Sequence, residues 1–182
     1  MSQMVTGDNA GRLAALQGGC TSAQACALFD QLPVVVAEEI TGRWKGSELP
    51  TGHPFDGLLS ASGWYGKQFD DPETVHPLLF SSSGEIFAVD PRKMPLALAG
   101  RVPLSVVAAA GKLLNVLQPV LRTTRPLARL RNLEYRGKAS AALIYDHWPV
   151  IDVFRRVDEH TLLGVMDQRD VDQPYFFVLR HD

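Results

Sequence analysis

The last third of the chain contains four runs of residues that are typical of β-strands, and only short turns separate them. The runs span residues 134–145, 150–157, 161–167 and 175–180, with turns at 146–149 and 158–160. Parallel strands need crossover connections of about a dozen residues or more, and the links between these runs are shorter. The pattern therefore predicts an antiparallel meander and argues against a parallel α/β fold.

Shorter patterns earlier in the chain predict two helices and further strands. The helices are expected at residues 22–32 and from His53 onwards, and the strands at 34–46, 74–80 and 85–90. Together with the meander, this gives about seven or eight strands, a number that suits a small closed barrel holding one small ligand. We expect a mainly β protein with helices, built on an antiparallel β-barrel of about 7–10 strands.

The domain organisation follows from length and composition. At 182 residues the chain is long enough for one substantial core. Residues 1–19 are predicted to be a flexible tail and residues 20–182 a single β-barrel domain. That domain is divided into residues 33–95, a helical and basic insertion at 96–132, and the strand meander at 133–182.

The apolar segment 102–121 is long enough to suggest a membrane span. Lys112 lies in its middle, however, and a lysine at the bilayer centre costs roughly 2.5–3.5 kcal/mol. We therefore predict a helix that covers the barrel. The basic residues after it, from Arg122 to Lys138, are typical of a solvated surface; transient contact with a membrane surface is the alternative.

Composition excludes several other functions. The net charge of −2 gives no general attraction to nucleic acid. Cys20 and Cys26 are six residues apart, which matches neither a zinc pair nor a redox pair, so we expect free thiols and, without an export signal, a cytoplasmic protein. Motifs for nucleophilic catalysis or phosphate binding are absent from the sequence. The sequence leaves open whether the protein forms a homodimer.

The five histidines do not have the spacing of metal ligands, so no metal and no cofactor are predicted. One axial histidine to haem is the alternative, with His147 and His181 as candidates because they lie near strand ends.

Alternation along the predicted strands suggests a cavity. In the run 134–146, one face carries small residues and ends in tyrosine (Tyr135, Gly137, Ala139, Ala141, Leu143 and Tyr145). The opposite face carries Glu134, Arg136, Lys138, Ser140 and Asp146, which suit solvent. Small inward residues leave space for a ligand, or they make room for a covering helix.

The next strand has two faces, and either can point inwards. One carries Asp152, Phe154 and Arg156; the other carries Ile151, Val153, Arg155 and Val157. If the second face is core, Arg155 is buried and needs a carboxylate partner. If the first is inside, Asp152 and Arg156 form a polar pair beside Phe154.

Two sets of motifs carry a resemblance to a known family. The stretch TGRWKG, followed by LPTGHPFDGLLSASGWYGKQF and VHPLLF, resembles the GXWXG family of bacteria and fungi. The stretch YRGKASAALIYDHWPVIDVFRRVDEHTLLGVMD, then YFFVLR, resembles the domain of unknown function that accompanies it. The resemblance implies no settled activity.

A second resemblance is to the calycins, which include lipocalins, fatty-acid-binding proteins and nitrobindins. These begin their barrel with Gly-x-Trp and often pack a basic residue of the last strand on that tryptophan. Gly42-x-Trp44 and Arg180 occupy similar places here. The resemblance implies a structural clasp between Trp44 and Arg180, a cation–π contact of about 0.5–2 kcal/mol; a core tryptophan and a surface arginine are the alternative.

These features predict a protein that binds a small hydrophobic or amphipathic ligand, lipid-like or fatty-acid-like, in a barrel cavity. The candidate ligand-binding residues are Trp64, Tyr65, Tyr145, Asp152, Phe154, Met166 and Asp167. The alternatives are an isomerase or hydrolase of a hydrophobic substrate, with Asp152 or Asp167 as acid or base and Tyr145 as donor, and a haem-binding barrel.

Overall fold

The computed structural model describes residues 8–94 and 101–182, and this part of the chain contains five α-helices and nine β-strands. The helices are α1 (Asn9–Leu16), α2 (Ser22–Gln31), α3 (Leu58–Ser62), α4 (Leu104–Lys112) and α5 (Leu114–Leu121). The strands are β1 (Gly42–Glu48), β2 (Trp64–Asp71), β3 (Thr74–Ser82), β4 (Glu85–Ala88), β5 (Ala128–Tyr135), β6 (Lys138–Tyr145), β7 (Val150–Asp158), β8 (Thr161–Gln168) and β9 (Tyr175–His181).

The strands form one antiparallel sheet whose hydrogen bonding closes into a ring. Its order is β2-β1-β9-β8-β7-β6-β5-β3-β4, and β2 also pairs with β3. Eight strands therefore make up the ring, while β4 extends it from β3. The mainly β, antiparallel fold with nine strands is the class that the sequence predicts; the closer likeness to calycins stays a prediction.

The boundary of the first meander strand differs from the prediction. The run 134–145 is divided, because β5 ends at Tyr135 and β6 begins at Lys138. Between them, Arg136 has a φ of 53° and Gly137 a φ of 77°, the two positive values of a tight hairpin turn. An arginine in this position is unusual, so the sequence gives little sign of the turn.

Two apolar layers lie on opposite sides of the sheet. The ring interior is filled by side chains such as Trp44, Phe69, Leu143, Phe154 and Phe177. Outside the ring, α1 and α2 cover the later strands, and their core includes Leu13, Leu28, Phe29, Val153 and Phe176.

Helix α1 corrects the prediction of a loose tail over residues 1–19; residues 1–7 of that tail lie outside the described residues. The Asp8 side chain caps the helix by accepting a hydrogen bond of 2.7 Å from the Gly11 N–H. Leu13 is only 2 % exposed. The capped helix is held because burying this leucine against α2 and the sheet removes apolar surface from water.

The covering layer also buries the second face of the meander strands. Ala141, Leu143 and Tyr145 do face the ring interior, as alternation predicts. The opposite face is not in solvent, since Ala142 packs in the outer layer and buried Ser140 donates to the Phe154 carbonyl oxygen at 2.7 Å. Both faces of these strands are therefore buried, and alternation cannot show which one is inside.

The apolar segment 102–121 forms two helices rather than one, with Leu113 between α4 and α5. Helix α4 packs closely on α3, since a Cβ added at Gly111 would lie 2.6 Å from the Ala61 carbonyl oxygen. Within the part of the chain that the structure describes, no helix is both long and apolar enough to cross a membrane. Of the predicted insertion 96–132, residues 96–100 lie outside the described residues, and its last residues belong to β5.

Candidate ligand-binding site

A cavity of about 380 Å³ lies inside the ring, against helices α3, α4 and α5. Its walls are mostly aromatic and aliphatic, with contributions from Phe55, Leu58, Phe80, Val106 and Leu121. This volume is at the small end of the range of about 300–1,000 Å³ for sites that bind small molecules.

The cavity wall contains an ion pair whose two side chains are both buried. Lys67 Nζ lies 2.8 Å from Asp152 Oδ2, and the two side chains are 3 % and 2 % exposed. Lys67 Nζ also donates to the Pro77 carbonyl oxygen and to the Tyr145 hydroxyl, both at 3.1 Å. An ammonium group has three N–H donors, so these three acceptors use all of them.

Aromatic rings surround the Lys67 ammonium. Its Nζ lies 5.9 Å from the ring centroid of Trp64, 5.4 Å from that of Tyr145 and 5.2 Å from that of Phe177. Trp148 stacks on Tyr145 with centroids 5.3 Å apart. Cation–π attraction to the rings offsets part of the cost of removing the lysine from water.

Burial alters the acid–base properties of the cluster. It raises the pKa of the Asp152 carboxyl, while the charge of Lys67 and hydrogen bonds from Lys67 and Tyr145 oppose that rise. The pKa of the Tyr145 hydroxyl lies well above its usual value, first because of burial and then because of the Asp152 charge. Tyr145 therefore stays protonated and donates its hydrogen bond to Asp152.

Two buried polar atoms of cavity-lining residues have no hydrogen-bond partner in the described structure. They are Asp152 Oδ1, an acceptor, and Trp64 Nε1, a donor. Most buried polar groups in proteins are paired, so these two atoms have unused hydrogen-bonding capacity; both are covered by neighbouring atoms, which must shift to admit a partner.

A bulge in β2 turns Trp64 and Lys67 towards the cavity together. The register of β2 against β3 shifts between Trp64 and Gly66 and again between Gly66 and Gln68. Gly66 is needed there because a Cβ would lie 1.9 Å from the Trp44 carbonyl oxygen. The sequence patterns predict no strand over residues 64–71, which is why they missed this lysine; strict alternation would in any case put Lys67 on the side of Tyr65.

Glu48 fixes helix α3 at the edge of the cavity. Its carboxylate accepts hydrogen bonds from the Gly57 and Leu59 N–H groups, at 3.0 and 2.8 Å, and from the Ser60 hydroxyl at 2.9 Å. It also accepts one from the Tyr175 hydroxyl at 2.8 Å. The carboxylate thereby ties α3 to strands β1 and β9, which positions the cavity-lining residues of α3.

Comparisons with known proteins match both halves of the chain. The family model described as GXWXG protein matches residues 27–84. The family model of a domain of unknown function, DUF4334, matches residues 126–181. The crystal structure of a protein from Thermomonospora curvata is similar over 97 % of this chain and 99 % of its own, with 30 % identity and a TM-score of 0.72. The chain belongs to the GXWXG family. No curated protein gives a significant match.

The signature of this GXWXG protein is Gly42-Arg-Trp44-Lys-Gly46, in β1. Trp44 is 3 % exposed, and its Nε1 donates to the Thr41 carbonyl oxygen at 2.9 Å. A Cβ at Gly46 would lie 2.1 Å from Trp64 Cη2. The signature thus fills the ring with one tryptophan and makes room for another, which lines the cavity.

Arg180 does not form the clasp predicted for this family member. Strand register pairs Trp44 with His181 and Lys45 with Arg180, so Arg180 lies on the opposite side from Trp44. The ring of His181 instead meets the Trp44 indole edge to face, 5.0 Å between centroids. Arg180 is exposed and donates to the Ser47 hydroxyl at 3.3 Å.

Four of the residues predicted to bind a ligand line the cavity of the GXWXG protein: Trp64, Tyr145, Asp152 and Met166. Phe154 is fully buried beside it, 6.2 Å from Phe177 between ring centroids.

Tyr65 and Asp167 lie elsewhere. Tyr65 points away from the cavity, where the Arg43 guanidinium lies 5.8 Å from its ring. Asp167 is exposed. The lining residues that the sequence did not predict include Lys67, Trp148, Tyr175 and Phe177. The signal in the sequence that points to Lys67 is its position within a run that contains Trp64, Tyr65 and Phe69.

The two arginines of β7 are outside the ring interior. Arg155 is fully buried, with its guanidinium 4.8 Å from the Phe29 ring, and it donates to the Tyr135 carbonyl oxygen at 3.0 Å. A ring and carbonyl oxygens replace the carboxylate that a buried Arg155 was expected to need. Arg156 pairs with Glu39 at 2.9 Å, so of the alternative that placed Asp152 and Arg156 inside the ring, only Asp152 holds. Lys67 takes the place of that arginine.

The haem candidates are not cavity residues. His147 is exposed, and His181 packs on Trp44. Among the described residues, no group of three or more His, Cys, Asp or Glu side chains is arranged to hold a metal. Cys20 and Cys26 are free thiols.

The basic stretch from Arg122 to Lys138 is largely paired, with ion pairs Arg122–Glu85, Arg129–Asp146, Arg131–Glu73 and Arg136–Asp30. The cytoplasmic location, the membrane-surface contact and the homodimer stay predictions.

Proposed function

We propose that this GXWXG protein binds a small hydrophobic or amphipathic molecule in the cavity, with its polar end at Lys67 and Asp152. The observation that supports the proposal is a cavity of about 380 Å³ with apolar walls and one buried ion pair. Each CH₂ group buried there contributes about 0.8 kcal/mol, so an apolar molecule binds without many polar contacts.

Helices α4 and α5 support the same proposal. They contribute Val106, Val107 and Leu117 to the cavity wall. On their other side, Val116 is 74 % exposed and Val120 65 % exposed. The two helices therefore lie between the cavity and solvent, where their displacement would admit a ligand.

A neutral fluorescent probe tests the proposal. We expect N-phenyl-1-naphthylamine to bind the wild-type protein with a rise in fluorescence. Met166→Trp fills the cavity and should abolish the rise, while Val116→Trp, at an exposed position of α5, should leave it unchanged. Native mass spectrometry of the freshly purified protein would identify a co-purified ligand. No fluorescence rise with the wild type, or an equal rise with Met166→Trp, would contradict cavity binding.

A second candidate function is acid–base catalysis on a hydrophobic substrate. It is favoured by the free Oδ1 of Asp152, whose pKa is raised by burial, next to a protonated Tyr145. Exposed Asp167 has no part in it. The test is deuterium exchange of the α-hydrogens of 2-decanone in D₂O, followed by NMR. Loss of exchange in Asp152→Asn with probe binding retained would support catalysis; equal exchange with and without the protein would exclude it for this substrate.

A further inference from the structure

We propose that the site selects a neutral ligand with a hydroxyl group at its polar end, in preference to a carboxylate. This inference rests on the proposed function, because it names the class of molecule that the cavity holds.

The unpaired acceptor is Asp152 Oδ1. Asp152 lines the cavity, is 1 % exposed, and has its other oxygen on Lys67. Lys67 cannot serve Oδ1 as well, since its three donors go to Asp152 Oδ2, the Pro77 carbonyl oxygen and Tyr145. A buried acceptor without a donor is costly, and a ligand O–H at this place removes that cost.

The unpaired donor is Trp64 Nε1, which contrasts with Trp44, whose Nε1 is bonded to Thr41. Both unpaired atoms belong to residues that adjoin Lys67, whose Nζ lies 2.8 Å from Asp152 Oδ2 and 5.9 Å from the Trp64 ring centroid. A hydroxyl group both donates and accepts, so a hydroxyl ligand supplies the two kinds of partner that this wall lacks.

Charge argues against a carboxylate ligand. The positive charge of Lys67 is already balanced by Asp152 at 2.8 Å. The second lysine of the wall, Lys93, is exposed and donates to the Val120 carbonyl oxygen, away from the buried pair. A fatty-acid carboxylate at the buried end of the cavity would therefore place a second negative charge next to the free oxygen of Asp152. The inference therefore names an alcohol, where the sequence predicts a lipid-like or fatty-acid-like ligand.

A competition experiment shows which polar end group the cavity prefers. Three ten-carbon compounds are compared for their ability to displace N-phenyl-1-naphthylamine at pH 8. They are 1-decanol, its isomer 1-methoxynonane, which has no O–H donor, and decanoate, which is charged. We expect 1-decanol to bind at least tenfold more tightly than either of the other two. Equal binding of the alcohol and the ether, or tightest binding of decanoate, would overturn the inference.

The variant Asp152→Asn should shift the order of affinities of these competitors towards decanoate. Asp152→Asn keeps the size of the side chain but leaves Lys67 without its counter-charge, so decanoate should gain at least tenfold relative to 1-decanol. Asp167→Asn, on the exposed side of β8, should keep the wild-type order. An unchanged order in Asp152→Asn would contradict the inference, and if that variant does not fold, the wild-type ranking decides.

Failure of this inference is distinguishable from failure of the proposed function. If the probe binds and the three competitors displace it equally, the cavity binds ligands but does not select a hydroxyl group. If the probe does not bind at all, both proposals fail.

Discussion

Lys67 and Asp152 join strands on opposite sides of the ring. Their 2.8 Å ion pair connects β2 to β7, and the strand order places these strands four steps apart in either direction. Each charge is therefore buried in the interior and depends on a partner from the far side. The pair serves two purposes in this arrangement: it holds the two sides of the ring together and it supplies the polar end of the cavity.

The first prediction concerns the loss of one partner. Lys67→Met leaves the Asp152 carboxylate buried and unpaired, and breaking a buried ion pair costs about 3–5 kcal/mol. Urea unfolding at pH 7 should show this decrease in the free energy of unfolding. The double variant Lys67→Met/Asp152→Leu should recover most of it, because it leaves no lone charge.

Lys45→Met is the matched control, since Lys45 lies on the neighbouring strand β1 and is exposed. Its free energy of unfolding should stay within about 0.5 kcal/mol of the wild type. If Lys67→Met were as stable as this control, the ion pair would not contribute to stability as argued.

The second prediction separates the tryptophan of the signature from one of the cavity. Trp44→Ala removes a buried side chain that does not line the cavity, so stability should fall by about 3–5 kcal/mol. The affinity of the folded fraction for N-phenyl-1-naphthylamine should not change. Trp148→Ala should lower the affinity for the probe and change stability little, because Trp148 lines the cavity and is only partly buried. Thermal unfolding and probe titration measure the two effects, and a loss of affinity in Trp44→Ala would show that Trp44 belongs to the site.

The third prediction tests the close approach in β1. Gly46→Ala places a methyl group 2.1 Å from the present position of Trp64 Cη2, so the indole has to move. Overpacking of this kind costs about 1–3 kcal/mol. Gly18→Ala is the control, since a Cβ there meets no atom within 4 Å. Trp64 lines the cavity, so Gly46→Ala should also weaken probe binding; unchanged stability and binding together would contradict the packing argument.

How much of this structure the sequence predicts depends on how local the signal is. The meander was predictable, because turns such as Asp158 to His160 join strands that are neighbours in the sheet. The inward set of β6, with Ala141 and Tyr145, was predictable from alternation. Closure of the ring through Val75 and Ala128 was not, since it pairs residues far apart in the chain with no pattern to indicate the pairing.

The candidate site shows the same division. Tyr145 and Asp152 were found because regular strands carry them. Lys67 was missed because no strand was predicted where β2 lies, and the bulge at Gly66 would have broken the alternation of that strand. The error over Arg180 has a similar origin: a resemblance places it on the last strand, but only the register, in which Trp44 faces His181, decides which residue meets the indole.

The last prediction concerns pH and His53, which is 4 % exposed beside the cavity residue Phe55. Its Nδ1 accepts a hydrogen bond of 3.0 Å from the Phe55 N–H, so Nε2 carries the proton and donates to the Gln173 carbonyl oxygen at 3.1 Å. This neutral form satisfies both ring nitrogens. Burial lowers the pKa of the imidazole below its ordinary value, and the hydrogen bond to Gln173 and the charge of Asp56 only partly oppose the shift.

The sign of the effect follows from proton binding. Below an ordinary histidine pKa of about 6.5, the unfolded chain binds a proton at His53 while the folded protein does not. Stability is therefore lost as the pH falls from about 6.5 towards the lowered pKa, with a slope of at most about 1.4 kcal/mol per pH unit for this one proton. The free energy of unfolding in urea, measured from pH 7.5 to pH 5, should fall more steeply for the wild type than for His53→Asn. For His147→Asn, at an exposed position, the free energy of unfolding should change with pH as it does for the wild type. If the free energies of the wild type and His53→Asn differed by a constant amount across this range, His53 would not be held neutral.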